Sequence, residues 1–309
     1  MKALLALFAL CMLSSASQSE DWYPSRYGSE DSLGALNLLS SKDVVAASRL
    51  VKTGKTYALG VITGRNSPAF GTRAFNLVVM PGGDGSVAGL GTNQATFNDD
   101  FLASHLGIGT QIDGLGHLGI AHRYYNGARQ SEFFQADGLK RFGTHSIPPI
   151  VTRGVLLDIA ALRGVDVLAA KTAINRAEID AAAKRQEIEI REGDVVLLHT
   201  GWQGLASSDP GKFLASAPGL GMGGASYLAG LGVVAVGADT WAVEVLPPED
   251  PQEAFPVHQV LLAKNGVYIL ENIETSELAA DEAHEFMFVA SAPRFEGAVQ
   301  MVLNPVAIR

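Results

Sequence analysis

Four short runs, Gly154 to Ile159, Asp194 to Leu198, Val233 to Val236 and Val267 to Leu270, are dominated by apolar and β-branched residues, with no polar alternation inside them. A strand with one wet face alternates polar and apolar side chains, whereas a strand without alternation is buried on both faces. Such strands need a sheet with helices packed on each side. The intervening segments supply them: Arg176 to Glu187 has alternating charge around an Ala-rich body and starts at Ala177-Glu178-Ile179-Asp180, and Gly224 to Leu231 reads as a helix feeding the strand before Asp239. Upstream, Ser41 to Lys52 has a capping residue, apolar spacing at Val44, Val45 and Leu50, and Gly54 just beyond, the pattern of a helix. Thr56 to Ile62 and Phe75 to Met80 read as strands, and Asp21 to Leu39 as irregular. The expected fold is therefore α/β, a mixed sheet flanked by helices. With 309 residues, 47% of them hydrophobic, the chain can bury one substantial core and forms one domain.

Residues 1–19 have the layout of a secretory signal: Lys2, an apolar run from Ala3 to Leu13, then Ser14-Ser15-Ala16. The run is too short to cross a bilayer. We therefore expect a mature domain over residues 20–309, secreted or periplasmic, with no membrane attachment after cleavage; an uncleaved N-terminal anchor is the alternative. Cys11 is the chain's single cysteine and lies inside that leader, preceded by Leu10, which does not suit a lipoprotein anchor. The mature chain then has no disulfide, thiolate ligand or cysteine nucleophile. A formal charge of −9 with no basic stripe argues against nucleic acid and anionic lipid, and for a small-molecule partner. Serine catalysis lacks a Gly-x-Ser-x-Gly elbow. Gly219 to Gly224 satisfies Gly-x-Gly-x-x-Gly, but no strand leads directly into it, so we expect a flexible loop, a candidate pocket lining, and no dinucleotide site.

Chemistry concentrates in Gly107-Ile108-Gly109-Thr110-Gln111-Ile112-Asp113-Gly114-Leu115-Gly116-His117. If the segment is extended, Gln111 and Asp113 share a strand face, and Gly114-Leu115-Gly116 permits a sharp turn that returns His117 toward Asp113. An oxygen ligand would then stand beside a group that titrates near neutrality. The second concentration is Phe255 to Glu271, where an apolar helical run bearing His258 near its start ends at Asn265-Gly266 and a short strand ends at Glu271. An ionised Glu271 among apolar neighbours needs a positive partner, and a metal ion would serve. Each residue alone also has an ordinary structural reading: turn chemistry for Asp113 and His117, a surface His258, an arginine partner for Glu271. His199 and Asp239 end buried strands and are read as hydrogen-bonded structural groups. His122, His145 and His284 have no second ligand at metal spacing.

Together these stretches resemble the cyclase family of metal-dependent hydrolases, which includes bacterial kynurenine formamidase and isatin hydrolase. The family signature is His-x-Gly-Thr-His-x-Asp-x-x-x-His, followed later by a His and an acid. Gly109, Thr110, Asp113 and His117 stand in register, and His258 and Glu271 fit the later pair. Leu198-His199-Thr200-Gly201-Trp202, Gly237-Ala238-Asp239-Thr240 and Asn304-Pro305-Val306-Ala307-Ile308 are similar as well, so the likeness covers roughly residues 60–309. It implies a swivelling β/β/α fold and a homo-oligomer.

The chain departs from the signature at its first two histidines, which are Gly107 and Gln111 here. In two-metal members both histidines and the Asp hold one ion, and the same Asp with the later His and Glu holds the other. Carried over by position, Asp113, His258 and Glu271 keep one site complete, Gln111 offers a weak neutral ligand, and one divalent metal is expected in place of two. His105 is a remote substitute for Gly107. The donors suit Zn²⁺ or Mn²⁺. The implied activity is hydrolysis of a cyclic amide, an N-formyl aromatic amide or a related compact carbonyl compound, with His117 as the proton-transfer group. Two alternatives stand beside it: a periplasmic small-molecule binding protein that has lost catalysis, and a metal-dependent lyase or isomerase.

Overall fold

The computed structural model describes residues 22–80 and 88–309. The leader over residues 1–19 and most of the Gly-rich segment from Pro81 lie outside the described residues. In chain order the strands are β1 Thr56–Ala58, β2 Phe75–Met80, β3 Asp99–Ser104, β4 Gln111–Asp113, β5 Ile150–Asp158, β6 Ala173–Ile174, β7 Val195–His199, β8 Gly219–Leu220, β9 Ala235–Ala238, β10 Tyr268–Glu271, β11 Glu285–Ala290, β12 Gln300–Val302 and β13 Val306–Ile308.

Nine of them form one mixed sheet in the order β1-β13-β11-β5-β7-β9-β10-β4-β12. Its centre, β5-β7-β9-β10, is parallel, and antiparallel strands extend it on both sides. The unalternating apolar runs are those central strands: Leu156, Leu157, Val195 to Leu198, Val236, Ile269 and Leu270 are all fully buried. The helix Arg176–Arg185 turns Ile179, Ala182 and Ala183 inward and is started by a capping box between Asn175 and Glu178. These features establish the expected α/β architecture, a curled mixed sheet flanked by helices in one domain-sized body.

Several element boundaries differ from the sequence expectation. Strand β1 stops at Ala58, because Gly60 makes only an isolated bridge to Ile273 and Ile62 is fully exposed. Strand β5 begins four residues early, since Ile150 to Arg153 pair with β11. Gly219 to Gly224 is no pocket loop: Gly219–Leu220 is β8, paired with β6, and Met222 opens the helix Met222–Gly230. There a side chain at Gly224 would press to 2.4 Å from the Ile174 carbonyl oxygen, so glycine permits close packing of helix on strand. The hairpin β2-β3 stands apart from the large sheet and exposes Leu77, Val79, Phe101 and Leu102.

The His258 region begins as expected and continues unusually. Phe255 takes a left-handed conformation, Pro256 occupies the first helical position, and a single α-turn, Pro256–His258, runs into a π-helix at Gln259–Lys264. Such wide turns are rare and concentrate at functional sites. Here it follows the turn that carries His258.

Candidate metal centre

Strand pairing assembles the floor of the site. Gln111 of β4 lies directly opposite Glu271 of β10, and Asp113 lies opposite Gln300 of β12. Directly paired residues of antiparallel strands project to the same face, so Gln111, Asp113, Glu271 and Gln300 point together. The turn after β4 supplies His117, whose backbone N–H donates to the Gly114 carbonyl at 2.9 Å. Glycine is needed there because side chains at 114 and 116 would press to 2.8 Å from the Val299 carbonyl and 2.6 Å from Leu139. His258 descends from the turn above and is bonded to Glu244 through both its backbone N–H, at 3.3 Å, and its ring Nδ1.

All five residues singled out in the sequence, Gln111, Asp113, His117, His258 and Glu271, therefore meet. His258 Nε2 lies 3.6 Å from Asp113 Oδ2 and 3.3 Å from Glu271 Oε1, and His117 Nε2 lies 3.9 Å from Asp113 Oδ2. Asp113 Oδ1 accepts from Gln300 Nε2 at 2.7 Å and from Gln111 Nε2 at 3.3 Å, and Gln111 Nε2 also donates to Glu271 Oε2 at 2.7 Å. Asp113, Glu244, Glu271 and His258 are buried, while 22% of the His117 side chain remains exposed. His117 is thus the member nearest solvent.

The electrostatics follow from packing several acids in a dry space. Burial works against the Asp113 carboxylate, but the His117 and His258 rings and the Gln300 amide outweigh it and bring its pKa down to about 2. Glu271 moves oppositely, pushed up to about 7 by burial and by the charge of Asp113. Burial also disfavours a charged His258, yet the carboxylates of Asp113, Glu244 and Glu271 around it raise its pKa well above the ordinary value. His117 is lowered, chiefly by burial.

The arrangement fits a cation. Asp113 Oδ2 is buried, has no hydrogen-bond partner, and faces the Nε2 atoms of His117 and His258. Asp113, His117 and His258 can each offer one ligand atom with all three within 4.8 Å of one another, and Glu271 adjoins His258. Glu244 completes the picture: a metal-binding imidazole usually gives its other ring N–H to a carboxylate, which leaves the Nε2 lone pair free.

Sequence reasoning missed Glu244, Gln300 and Arg73. Arg73 donates from Nη1 to the Gly107 carbonyl at 2.5 Å and from Nη2 to Gln300 Oε1 at 3.4 Å. Only the strand register, which pairs Gln300 with Asp113, could have revealed the amide, and no local motif carries that register. His105 does not replace Gly107: it is exposed, and its Nδ1 accepts from the Ala74 backbone N–H at the base of the hairpin. His199 Nδ1 bonds Thr275 Oγ1 at 2.7 Å, and Asp239 accepts from the Thr200 and Gly201 backbone. His122 pairs with Gln130, and His145 accepts from the Gly297 N–H.

Known proteins share this framework. A solved structure described as a novel cyclase superposes with a TM-score of 0.84 at 28% identity, covering 92% of this chain and 98% of its own. Isatin hydrolase A from Ralstonia solanacearum superposes with a TM-score of 0.63 at 17% identity, over 88% of this chain and 98% of its own. A structure described as a predicted metal-dependent hydrolase from Bacillus stearothermophilus gives 0.53 at 17% identity, over 83% and 98%. No curated protein matches the chain. The family model Cyclase, described as "Putative cyclase", matches residues 57–245, more than half the length, and the chain belongs to the cyclase family.

Proposed function

We propose that this chain is a metal-dependent hydrolase acting on a non-peptide carbon–nitrogen bond, opening a cyclic amide or cleaving an N-formyl aromatic amide or a related small carbonyl compound. The observation that carries the reading is the partnerless Asp113 Oδ2, buried and flanked by two imidazole nitrogens. Asp113, His258 and Glu271 would hold one divalent ion, Zn²⁺ or Mn²⁺, and Gln111, whose Oε1 is also buried without a partner, would serve as a weak, neutral ligand. When bound, such an ion acidifies water and polarises a carbonyl oxygen.

The chain's own groups account for the rest. His117 stands at the wet side of the cluster, where it takes a proton from the attacking water and returns it to the leaving nitrogen. Phe70 lies stacked on Trp241 with ring centroids 5.3 Å apart, and Phe255 packs edge-on against both Phe70 and His258. An aromatic wall next to the donor cluster suits a flat, compact substrate. The test is turnover of small lactams, lactones and N-formyl anilines by the Zn²⁺- or Mn²⁺-loaded protein in ¹⁸O-labelled water. We expect solvent oxygen in the new carboxylate. Turnover without label would indicate a lyase or isomerase, and tight binding without turnover a binding protein.

The same reading includes secretion by the leader over residues 1–19, removed to leave the domain over residues 20–309, and a homo-oligomer. The exposed apolar residues of the β2-β3 hairpin support the oligomer, because two strands alone are marginally stable in water. Light scattering that gives a monomer at micromolar concentration would count against it.

A further inference from the structure

The two oxygens of Asp113 face different surroundings. Oδ2 is open toward His117 and His258, whereas Oδ1 is closed by two amides, from Gln300 at 2.7 Å and Gln111 at 3.3 Å. Behind the closed oxygen the space is filled. Gln300 reaches it only because residue 107 lacks a side chain: a Cβ there would lie 2.5 Å from Gln300 Oε1. Arg73 locks this arrangement, donating to Gln300 Oε1 at 3.4 Å and to the Gly107 carbonyl at 2.5 Å, and its guanidinium lies 6.0 Å from the centroid of the Phe70 ring. The three residues are mutually dependent. Any side chain at 107 excludes the present Gln300 position, and removal of Gln300 takes a partner from both Asp113 and Arg73.

We propose that Arg73, keyed in place by Gln300 and Gly107, limits this centre to one divalent ion: it holds Gln300 against Asp113 Oδ1, closing that oxygen to a second ion, and sets a positive charge behind it. The inference rests on the metal-site reading above and adds a positioning role for Arg73. A guanidinium is permanently charged and planar, so it keeps this function at any working pH and ties two acceptors at once.

The experiment is calorimetric titration of ion-free protein with Mn²⁺ or Zn²⁺, reading stoichiometry and Kd for the parent and for Arg73→Met, Arg73→Lys, and Gln111→His with and without Arg73→Met. We expect about one ion per parent chain, and Kd tightened by on the order of tenfold in Arg73→Met, where repulsion of the incoming cation is lost. Arg73→Lys, which keeps the charge, should stay near the parent. Gln111→His, which leaves Gly107 and Gln300 in place, should still bind about one ion, and a second should bind only when Arg73→Met is added. Two ions in the parent, two in Gln111→His with Arg73 present, or an Arg73→Met affinity equal to that of the parent would each overturn the inference while leaving the metal site standing. A parent chain that takes up no ion would instead remove the metal-site reading and this inference with it. The single variants keep the test decisive if the multiple ones do not fold.

Discussion

Two buried polar clusters are built on the same sheet, and they differ in how completely they are satisfied. At the end of β7 and β9, Asp239 accepts from the Thr200 and Gly201 N–H groups at 3.0 and 2.7 Å and from the Thr200 hydroxyl, and His199 bonds Thr275. On β4 and in the loop after β9, by contrast, Asp113 Oδ2, Gln111 Oε1 and Glu244 Oε2 are buried without partners. Leaving a buried polar atom unpaired costs roughly 1–3 kcal/mol, more if charged, so a fold that retains three together retains them for a ligand. The closed cluster holds the strand ends in place; the open one waits for a cation. The identity of the residues alone does not tell the two apart, since each has an Asp, a His and a neighbouring hydroxyl or amide.

Substitutions on each side should separate the clusters, beginning with the largest effect. Asp113→Ala should abolish ion uptake and turnover, read by calorimetry and by product assay. His117→Ala should spare ion binding and reduce kcat about a hundredfold or more, the range of general acid–base catalysis. Equal loss of metal in both variants would make His117 a ligand. Asp239→Asn should do the reverse of Asp113→Ala: about 2–3 kcal/mol less stable by chemical denaturation, from donors left facing an amide N–H, with ion affinity unchanged. Glu244→Gln should weaken the ion by roughly 10–100-fold through the loosened His258 ring, while the fold persists.

The smallest effect is on pH dependence. Glu271 has a folded pKa of about 7 against an ordinary 4.5, so the folded state holds the proton more tightly than the unfolded chain. Stability of ion-free protein therefore falls as pH rises between those values and is level above them. His258, raised above its ordinary value, acts in the same direction: its contribution is present below that value and lost as pH rises through the folded one. Melting temperatures of chelator-treated protein should thus decline from about pH 5 to about pH 7, and Glu271→Gln should flatten part of the slope. A rising melting temperature over that range would contradict the burial that raises Glu271.

How much of this was legible before folding depended on the distance over which each signal acts. The central strands were readable because a doubly buried strand carries its signature within five or six residues, as Val195 to Leu198 does. Asp113, His117, His258 and Glu271 were readable because local geometry presents them: a two-residue strand period, a glycine turn, a helix start and a strand end. Gln300 and Arg73 were not, because their meaning arises only from the register of β12 on β4 and from the space at Gly107. Gly107 itself read as a missing histidine, and only the neighbouring side chains show the vacancy to be filled. Glu244 was passed over for a similar reason, since nothing in the loop after β9 hints at an imidazole fourteen residues on. The hairpin was half legible: β2 was expected, and β3, with Asp99 and Asp100 at its start and a Gly-rich segment before it, was not.

The central claim is that residues far apart in the chain share one cation. Anomalous diffraction from a crystal grown with Mn²⁺ or Zn²⁺ measures this most directly. The account predicts a single strong peak about 2.0–2.2 Å from Asp113 Oδ2, His258 Nε2 and a Glu271 oxygen. A peak beside His199 and Asp239, or none touching Asp113, would contradict it.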